Sequence, residues 1–331
     1  MSHSTSNIWV LTDDRAGNRS QALGVIGALG RPYVEKALDY GPMAGFPNQM
    51  LGASLRGLTA ASRQSLVPPW PDMVIAAGRR LAPVARHIKQ AGGGAPRLVQ
   101  IMNPGGTLDD FDLVAVPSHD TPAQGENILA VTGAPHGLTS MVLDAARAGW
   151  AGRLDALPRP RIAVIVGGAT RRRQFTEDMA TALGHQASAF AAAQGGSLMV
   201  TTSRRTGAAA KALLAALDGE CRVHQWAPAQ ADNPYRGYIA HADAIIVTGE
   251  SISMCSEACA AGVPVFVFAP PGLISEKHGR FHDILFDGGY AQPLSDPPAD
   301  LNAVAHRRLN AAEVIAATIE NIIDIPLNPQ Q

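Results

Sequence analysis

Two carboxylates interrupt the stretch VTGESISMCSEACAAGVPVFVF, Val247–Phe268, which is otherwise built of small and apolar residues. The pattern is that of a strand end, a tight loop, a short helix, a glycine turn and a second strand. Glu250 falls in the loop and Glu257 inside the helix. A carboxylate in the second turn of a helix that opens at a sheet edge can accept hydrogen bonds from two adjacent hydroxyls, as on a ribose. The plainer alternative is a solvent-facing Glu favoured by the helix dipole. Glu250 reads as a residue that fixes its loop or touches the sugar of a ligand.

Two further stretches have the composition of anion-binding loops. In VGGATRRR (166–173), Gly167 and Gly168 allow close backbone approach, and the spacing predicts a helix starting between Thr170 and Arg173. Arg171, Arg172 and Arg173 supply planar cationic forks suited to phosphate oxygens. In TTSRRT (201–206), Ser203 and Thr206 are helix-capping types, and Arg204 and Arg205 repeat the basic pair. Either stretch alone is equally a glycine-rich turn with solvated arginines. Together, on neighbouring strand ends, they point to a diphosphate site. Neither G-x-G-x-x-G nor G-x-x-x-x-G-K-[ST] occurs, which removes the dinucleotide fingerprint and the P-loop.

Candidate bases lie in the first half. TDDRAGN (12–18) offers Asp13 and Asp14 after a strand, with Asn18 as a natural helix cap. In VPSHD (116–120), His119 is a type that accepts a proton near neutral pH, with Asp120 able to orient it. Loop bracing is the competing reading for each. DDFD (109–112) has metal-binding spacing but precedes a strand, so turn and capping carboxylates are expected there. His278 and His282 are spaced as on a zinc helix, without the intervening Glu or a third ligand. APPGLISEKHG (269–279) reads as a lid between Gly272 and Gly279, with Lys277 and Arg280 able to swing inward.

The elements that must position these residues alternate regularly. Apolar runs at 7–11, 72–77, 97–102, 112–116 and 127–131 predict strands, with helices from about Asn18, over 79–91 and over 138–150. AGRLDALPRPR (151–161) reads as a linker, and the pattern then restarts. Strands are expected at 162–166, 197–203, 221–226, 243–248 and 264–268. Helices are expected at 173–192, 206–217, 251–261, 275–287 and 306–323. Such alternation implies two α/β halves, each with a mostly parallel sheet covered on both faces.

The bulk composition is permissive. The 331 residues are 46% hydrophobic and 17% charged, with a formal net charge of -1, so nothing draws the chain to nucleic acid. Three cysteines make no disulfide framework, and Cys255 and Cys259 read as small buried residues in a reducing compartment. The N-terminal MSHSTSNIWVL has no secretory pattern, and no apolar run is long enough to span a bilayer. A cytoplasmic protein is expected.

Read together, these motifs carry a resemblance. ADAIIVTGESISMCSEACAAGVPVFV (242–267) is similar to the nucleotide-binding signature of GT-B glycosyltransferases, in which a helix Glu before an "AAG-P" turn holds the ribose of a sugar nucleotide. Glu257 occupies that place. TDDRAGNRSQALGV (12–25), PSHD (117–120), VGG (166–168), TTSRRT, NPY (233–235) and VTGESISMCSEACAAGVPV resemble the mitochondrial fission family, which has many bacterial members. The family usually has Asp where this chain has Glu250.

The resemblance implies two Rossmann-like domains of GT-B type facing a central cleft, 1–152 on the acceptor side and 153–331 on the donor side. It further implies a C-terminal helix packed back on the N-terminal domain. The donor substrate would be a nucleoside-diphosphate sugar, with no metal and no further cofactor. Its base would meet Trp226 to Pro228 and its ribose Glu257. Gly168, Thr170, Arg171 and Ser203 would face the diphosphate, with the helix N-terminus at Ser251 assisting. The acceptor would be a cell-envelope component or glycolipid at the inner-membrane surface. The alternatives are a non-catalytic adaptor in membrane remodelling, which would bind a protein partner, and a sugar-nucleotide epimerase or hydrolase.

Overall fold

The computed structural model describes residues 7–228 and 232–323, so the reading of Met1–Ser6 lies outside the described residues. In chain order the elements are β1 (Ile8–Thr12), α1 (Ala16–Leu29), β2 (Val34–Ala37), α2 (Asn48–Leu51), α3 (Ala60–Gln64), β3 (Met73–Ala77), α4 (Ala82–Ala91), β4 (Arg97–Ile101), β5 (Leu113–Pro117), β6 (Ile128–Val131) and α5 (Ser140–Gly149). They continue as β7 (Arg161–Ile165), α6 (Glu177–Ala193), β8 (Ser197–Thr201), α7 (Ala209–Ala215), β9 (Cys221–His224), α8 (Tyr235–His241), β10 (Ala244–Thr248), α9 (Ile252–Cys259), β11 (Val265–Phe268), α10 (Glu276–Asp287), β12 (Gln292–Pro293) and α11 (Ala311–Ile323).

Two six-stranded sheets result, with orders β2-β1-β3-β4-β5-β6 and β12-β11-β10-β7-β8-β9. Every pairing between these strands is parallel. Central strands such as β3, β7 and β10 are buried along their whole length, which is why they read as unbroken apolar runs. Two edge strands escaped the pattern. VEKA of β2 is half exposed and polar, and β12 is two residues long with a proline that only an edge tolerates. The short helix α8 was also missed, because Pro234 and Gly237 break its signal. Gly237 is required there by packing, since a Cβ would lie 2.5 Å from the Trp150 ring.

The chain divides by its contacts into one unit of residues up to Gly137 together with the segment from Ala311, and a second of Leu138–Asn310. The expected division at 152 and 153 follows the proline-rich segment instead. Helix α5 sits before that segment yet buries Leu143 in the second unit, beside Tyr238 and Ile239. The C-terminal helix α11 belongs to the first unit, as the resemblance implied. It buries Ala312, Ile315 and Ile319 against Ala22, Val25 and Ile26 of α1, and Arg31 pairs with Glu320 at 3.1 Å. No helix among the described residues is long and apolar enough to cross a membrane.

Because Ile315 is fully buried in the layer that joins the last helix to the first, its truncation opens a cavity rather than a surface. Ile315→Ala is expected to lower the stability of the first unit by about 2–5 kcal/mol in urea unfolding.

Candidate functional site

The second sheet has the strand order of a doubly wound nucleotide-binding sheet, with its reversal between β7 and β10. Ligands of such sheets bind beyond the carboxyl ends of the strands at that reversal. The chain following β7 carries Gly167 and Gly168, the chain following β8 carries Ser203 to Thr206, and the chain following β10 carries Glu250 and Ser251. These segments meet.

Glu250 holds them together. Its side chain is 0% exposed, and its Oε1 accepts the Gly168 N–H at 2.7 Å and lies 3.2 Å from the Arg205 guanidinium. The Thr248 hydroxyl reinforces the carboxylate and accepts the Gly167 N–H at 2.8 Å. Ser203 and Thr206 close a reciprocal cap, and both hydroxyls donate to the Gly167 carbonyl, Thr206 at 2.8 Å. His282 hydrogen-bonds the Gly249 carbonyl at 2.9 Å, and His278 the main chain of Glu250. The two histidines of the zinc-like spacing are therefore braces of this loop.

The glycine pair is accounted for by this knot. A Cβ at Gly167 would fall 1.9 Å from the Glu250 carboxylate, and one at Gly168 2.3 Å from the Arg205 carbonyl. Gly168 also has a φ of +131°, which other residues rarely adopt. Both glycines are buried with their amides engaged inside the protein, so a close approach of chain to chain, rather than of chain to ligand, requires them. Arg205 is drawn inward by Glu250, whereas Arg171, Arg172, Arg173 and Arg204 are exposed. The helix α6 starts at Glu177 with Thr176 as its cap, so the arginine triplet and Thr170 stand in the preceding loop and not at a helix N-terminus. Ser251 caps α9 by accepting the Met254 N–H at 3.4 Å.

Glu257 lies half-buried on α9. Its Oε2 accepts the hydroxyl of Tyr235 at the start of α8, while no partner for Oε1 is found among the described residues. Burial raises the Glu257 carboxyl above its ordinary value, against the Tyr235 hydrogen bond and the charge of Arg236. Burial also raises the Tyr235 hydroxyl, which stays protonated and donates. Tyr235 was legible only as part of the NPY motif, without a role. Trp226 follows β9, its N–H bonded to the Thr202 hydroxyl at 2.8 Å. Three strand places separate β9 from β10, about 14 Å at the usual strand spacing.

In the first unit, Asp13 and Asp14 follow β1. Asp13 is buried; its Oδ1 accepts the Arg15 N–H at 3.1 Å and its Oδ2 has no hydrogen-bond partner among the described residues. Burial pushes its carboxyl above the ordinary value. Asp14 is exposed and pairs with Arg80 at 3.2 Å. Asn18 lies inside α1 rather than at its cap, because the helix starts at Ala16, and its side chain is packed against Gly78. Gln100 reaches the same place, donating to the Gly78 carbonyl at 3.2 Å. His119 is buried in a turn after β5, three strand places from β1. The structure does not bring it to Asp13, so the two are separate candidates.

The remaining motifs have structural roles. Asp110 pairs with Arg86, and Asp112 accepts the Leu98 N–H and the Lys89 ammonium, so DDFD braces β4 and α4. Gly279 lies inside α10, and Leu273 is fully buried, which pins the 269–279 segment instead of leaving it between two glycine hinges. Cys255 and Cys259 are buried, and burial pushes the Cys259 thiol up to about 12. Among the described residues, no cluster of three potential ligands could hold a metal ion.

Burial, the largest influence on Glu250, raises its carboxyl above the ordinary value despite Gly168 and Arg205. A raised value in the folded state means that folding favours the protonated form. That contribution is complete below about pH 4.3 and is lost as pH rises through the folded value. The stability of the parent relative to Glu250→Gln is therefore expected to fall as pH rises above about 4.3, measured by denaturant unfolding from acid to neutral pH. A parent that gains on the variant as pH rises would show that the Arg205 pair outweighs burial.

Comparison with known proteins gives the family and the fold. The RP120 protein of Rickettsia prowazekii (strain Madrid E) is 29% identical over 352 residues, covering 96% of this chain and 99% of its own. The mitochondrial fission protein ELM1 of Arabidopsis thaliana is 30% identical over 249 residues, covering 66% of this chain and 56% of its own length. Among solved structures, MurG of Acinetobacter baumannii matches with a TM-score of 0.50 at 16% identity, covering 95% of this chain and 99% of its own. The glycosyltransferase SnogD of Streptomyces nogalater matches with 0.52 at 14%, covering 96% and 100%. At such identities these likenesses show the GT-B fold and nothing finer. The mitochondrial fission ELM1 model matches residues 16–323, nearly the whole described chain, and the chain therefore belongs to that family.

Proposed function

We propose that the second unit binds a nucleoside-diphosphate sugar and that the protein is a metal-independent glycosyltransferase acting on a cell-envelope or glycolipid acceptor. The observation that carries the reading is Glu257. It stands on α9, the helix that follows β10, one of the two strands at the reversal, with Oε2 tied to Tyr235 and no partner for Oε1 among the described residues. A hydroxyl of the ribose is the donor that such an acceptor suits. The base lies on the side of Trp226 to Pro228. With the Gly167 and Gly168 amides and Arg205 engaged internally, the diphosphate is met by the exposed Arg171 and Arg204, by Thr170, and by the start of α9 at Ser251.

The leaving nucleoside diphosphate gains negative charge as the glycosidic bond breaks. Cations and hydroxyls fixed in place beforehand lower that barrier without reorganising. Of the base candidates, Asp13 has the environment the role needs. It is buried, its carboxyl is raised toward neutrality, and one oxygen is uncommitted among the described residues. Asp14 is held by Arg80.

A second reading, a non-catalytic adaptor, is favoured by one feature of the first unit. Met43, Phe46 and Met50 are 37%, 46% and 68% exposed within one short segment, a surface suited to a protein partner. The Arabidopsis relative carries a name from mitochondrial fission, which is compatible with it.

Thermal unfolding against the common nucleoside diphosphates and their sugar conjugates separates the two. A ligand present at about 100 times its dissociation constant adds roughly 2.7 kcal/mol of stability. We expect a shift for one base that Glu257→Ala abolishes, measured against the unliganded melting temperature of the variant itself. No shift with any member would favour the adaptor. A shift that survives Glu257→Ala would remove Glu257 from the site.

A further inference from the structure

Glu257 does not present a free carboxylate, and the way it is tied has a consequence for what it recognises. Tyr235 opens α8 directly after Asn233 and Pro234. The Asn233 side chain accepts the Tyr235 N–H at 3.0 Å, and the Tyr238 N–H donates to the Pro234 carbonyl at 2.7 Å, which fixes where the helix begins. The Tyr235 ring packs against the core of the second unit, and its hydroxyl donates to Glu257 Oε2. Glu257 is carried by a different helix, so the hydrogen bond spans α8 and α9 and holds a side chain that would otherwise rotate about its own bonds.

An untied glutamate can offer both oxygens to a vicinal pair of hydroxyls. Here the phenol takes one lone pair of Oε2 and packs a tyrosine ring beside it, while no partner for Oε1 is found among the described residues, so Oε1 is the oxygen better placed to meet a ligand hydroxyl. We propose that Tyr235 is a positioning residue that makes Glu257 a receptor for a single ribose hydroxyl, so that the site reads one of the two hydroxyls and is indifferent to the other. The inference rests on the nucleotide reading above and deepens it, since it specifies which part of a nucleoside diphosphate the pair discriminates. Burial of the Tyr235 hydroxyl keeps its proton in place, so the phenol stays the donor to Glu257 Oε2.

The test is titration calorimetry of the full chain with UDP, ADP, GDP and CDP, followed by the 2′-deoxy and 3′-deoxy forms of whichever binds. In the parent, removal of one hydroxyl is expected to weaken binding about tenfold, the value of one hydrogen bond to a charged acceptor, while removal of the other changes it by less than about twofold. In Tyr235→Phe the ring and its packing remain but the tether is lost. The ribonucleotide should bind more weakly, and the two deoxy forms should no longer differ. Equal losses for the two deoxy forms in the parent would overturn the inference while leaving a nucleotide site intact. So would a Tyr235→Phe chain that keeps the asymmetry of the parent. Failure of all four diphosphates to bind, or undiminished binding in Glu257→Ala, would overturn the nucleotide reading and this inference with it. The parent comparison needs no variant, so a substitution that impaired folding would leave the test decisive.

Discussion

The carboxylate of Glu250 is removed from water at a point where three segments must meet, the chain after β7, the chain after β8 and the chain after β10. Such a group is costly to bury unless its oxygens find donors, and the donors nearest to hand are main-chain amides and one guanidinium. Gly168 and Arg205 supply them to Oε1, while Oε2 is buried with no hydrogen-bond partner among the described residues. Satisfying that one oxygen draws three loops together. The remaining features of the site follow from that requirement, including the two glycines, the Ser203 to Thr206 cap and the two histidines of α10.

This arrangement divides labour among residues that look alike in the sequence. Two carboxylates separated by half a helix serve different ends because their surroundings differ. Glu250 is closed to solvent, with Oε1 held by Gly168 and Arg205 and Oε2 unpartnered in the interior among the described residues, while Glu257 is half open and its Oε2 is tied to Tyr235. The arginines divide similarly. Arg205 is turned inward as the counter-charge of a buried acid, and Arg204, its neighbour, is turned out. An internal carboxylate has taken the main-chain donors that a phosphate would otherwise meet at Gly168. Any anion bound at this edge is left to the exposed side chains around it.

The first unit shows the same logic with less commitment. Its sheet reverses between β1 and β3, and there Asn18, Gly78 and Gln100 meet at the strand ends, with Asp13 directly after β1. Asp13 and Asn18 were visible as polar residues after a strand. Gln100 was not, because it sits inside an apolar run and its orientation depends on the neighbouring strand. Likewise Tyr235 stood in a short motif with nothing in its local pattern to connect it to Glu257, since the two residues are twenty-two positions apart and meet only through the packing of α8 beside α9.

By itself the sequence determined the alternation of strands and helices, the doubled α/β architecture and the loops in which chemistry would be found. Those follow from local period, from glycine and proline, and from buried parallel strands, all of which act over a few residues. It also put Glu257 on a short helix before the AAG-P turn, which is a local pattern. Tertiary structure alone decided that α5 packs with the second unit and that Gly167 and Gly168 serve Glu250. It alone decided that Tyr235 holds Glu257. Each of these depends on which distant segments the two sheets bring side by side, and strand order is set by the burial of whole faces, a quantity that no short stretch of residues records.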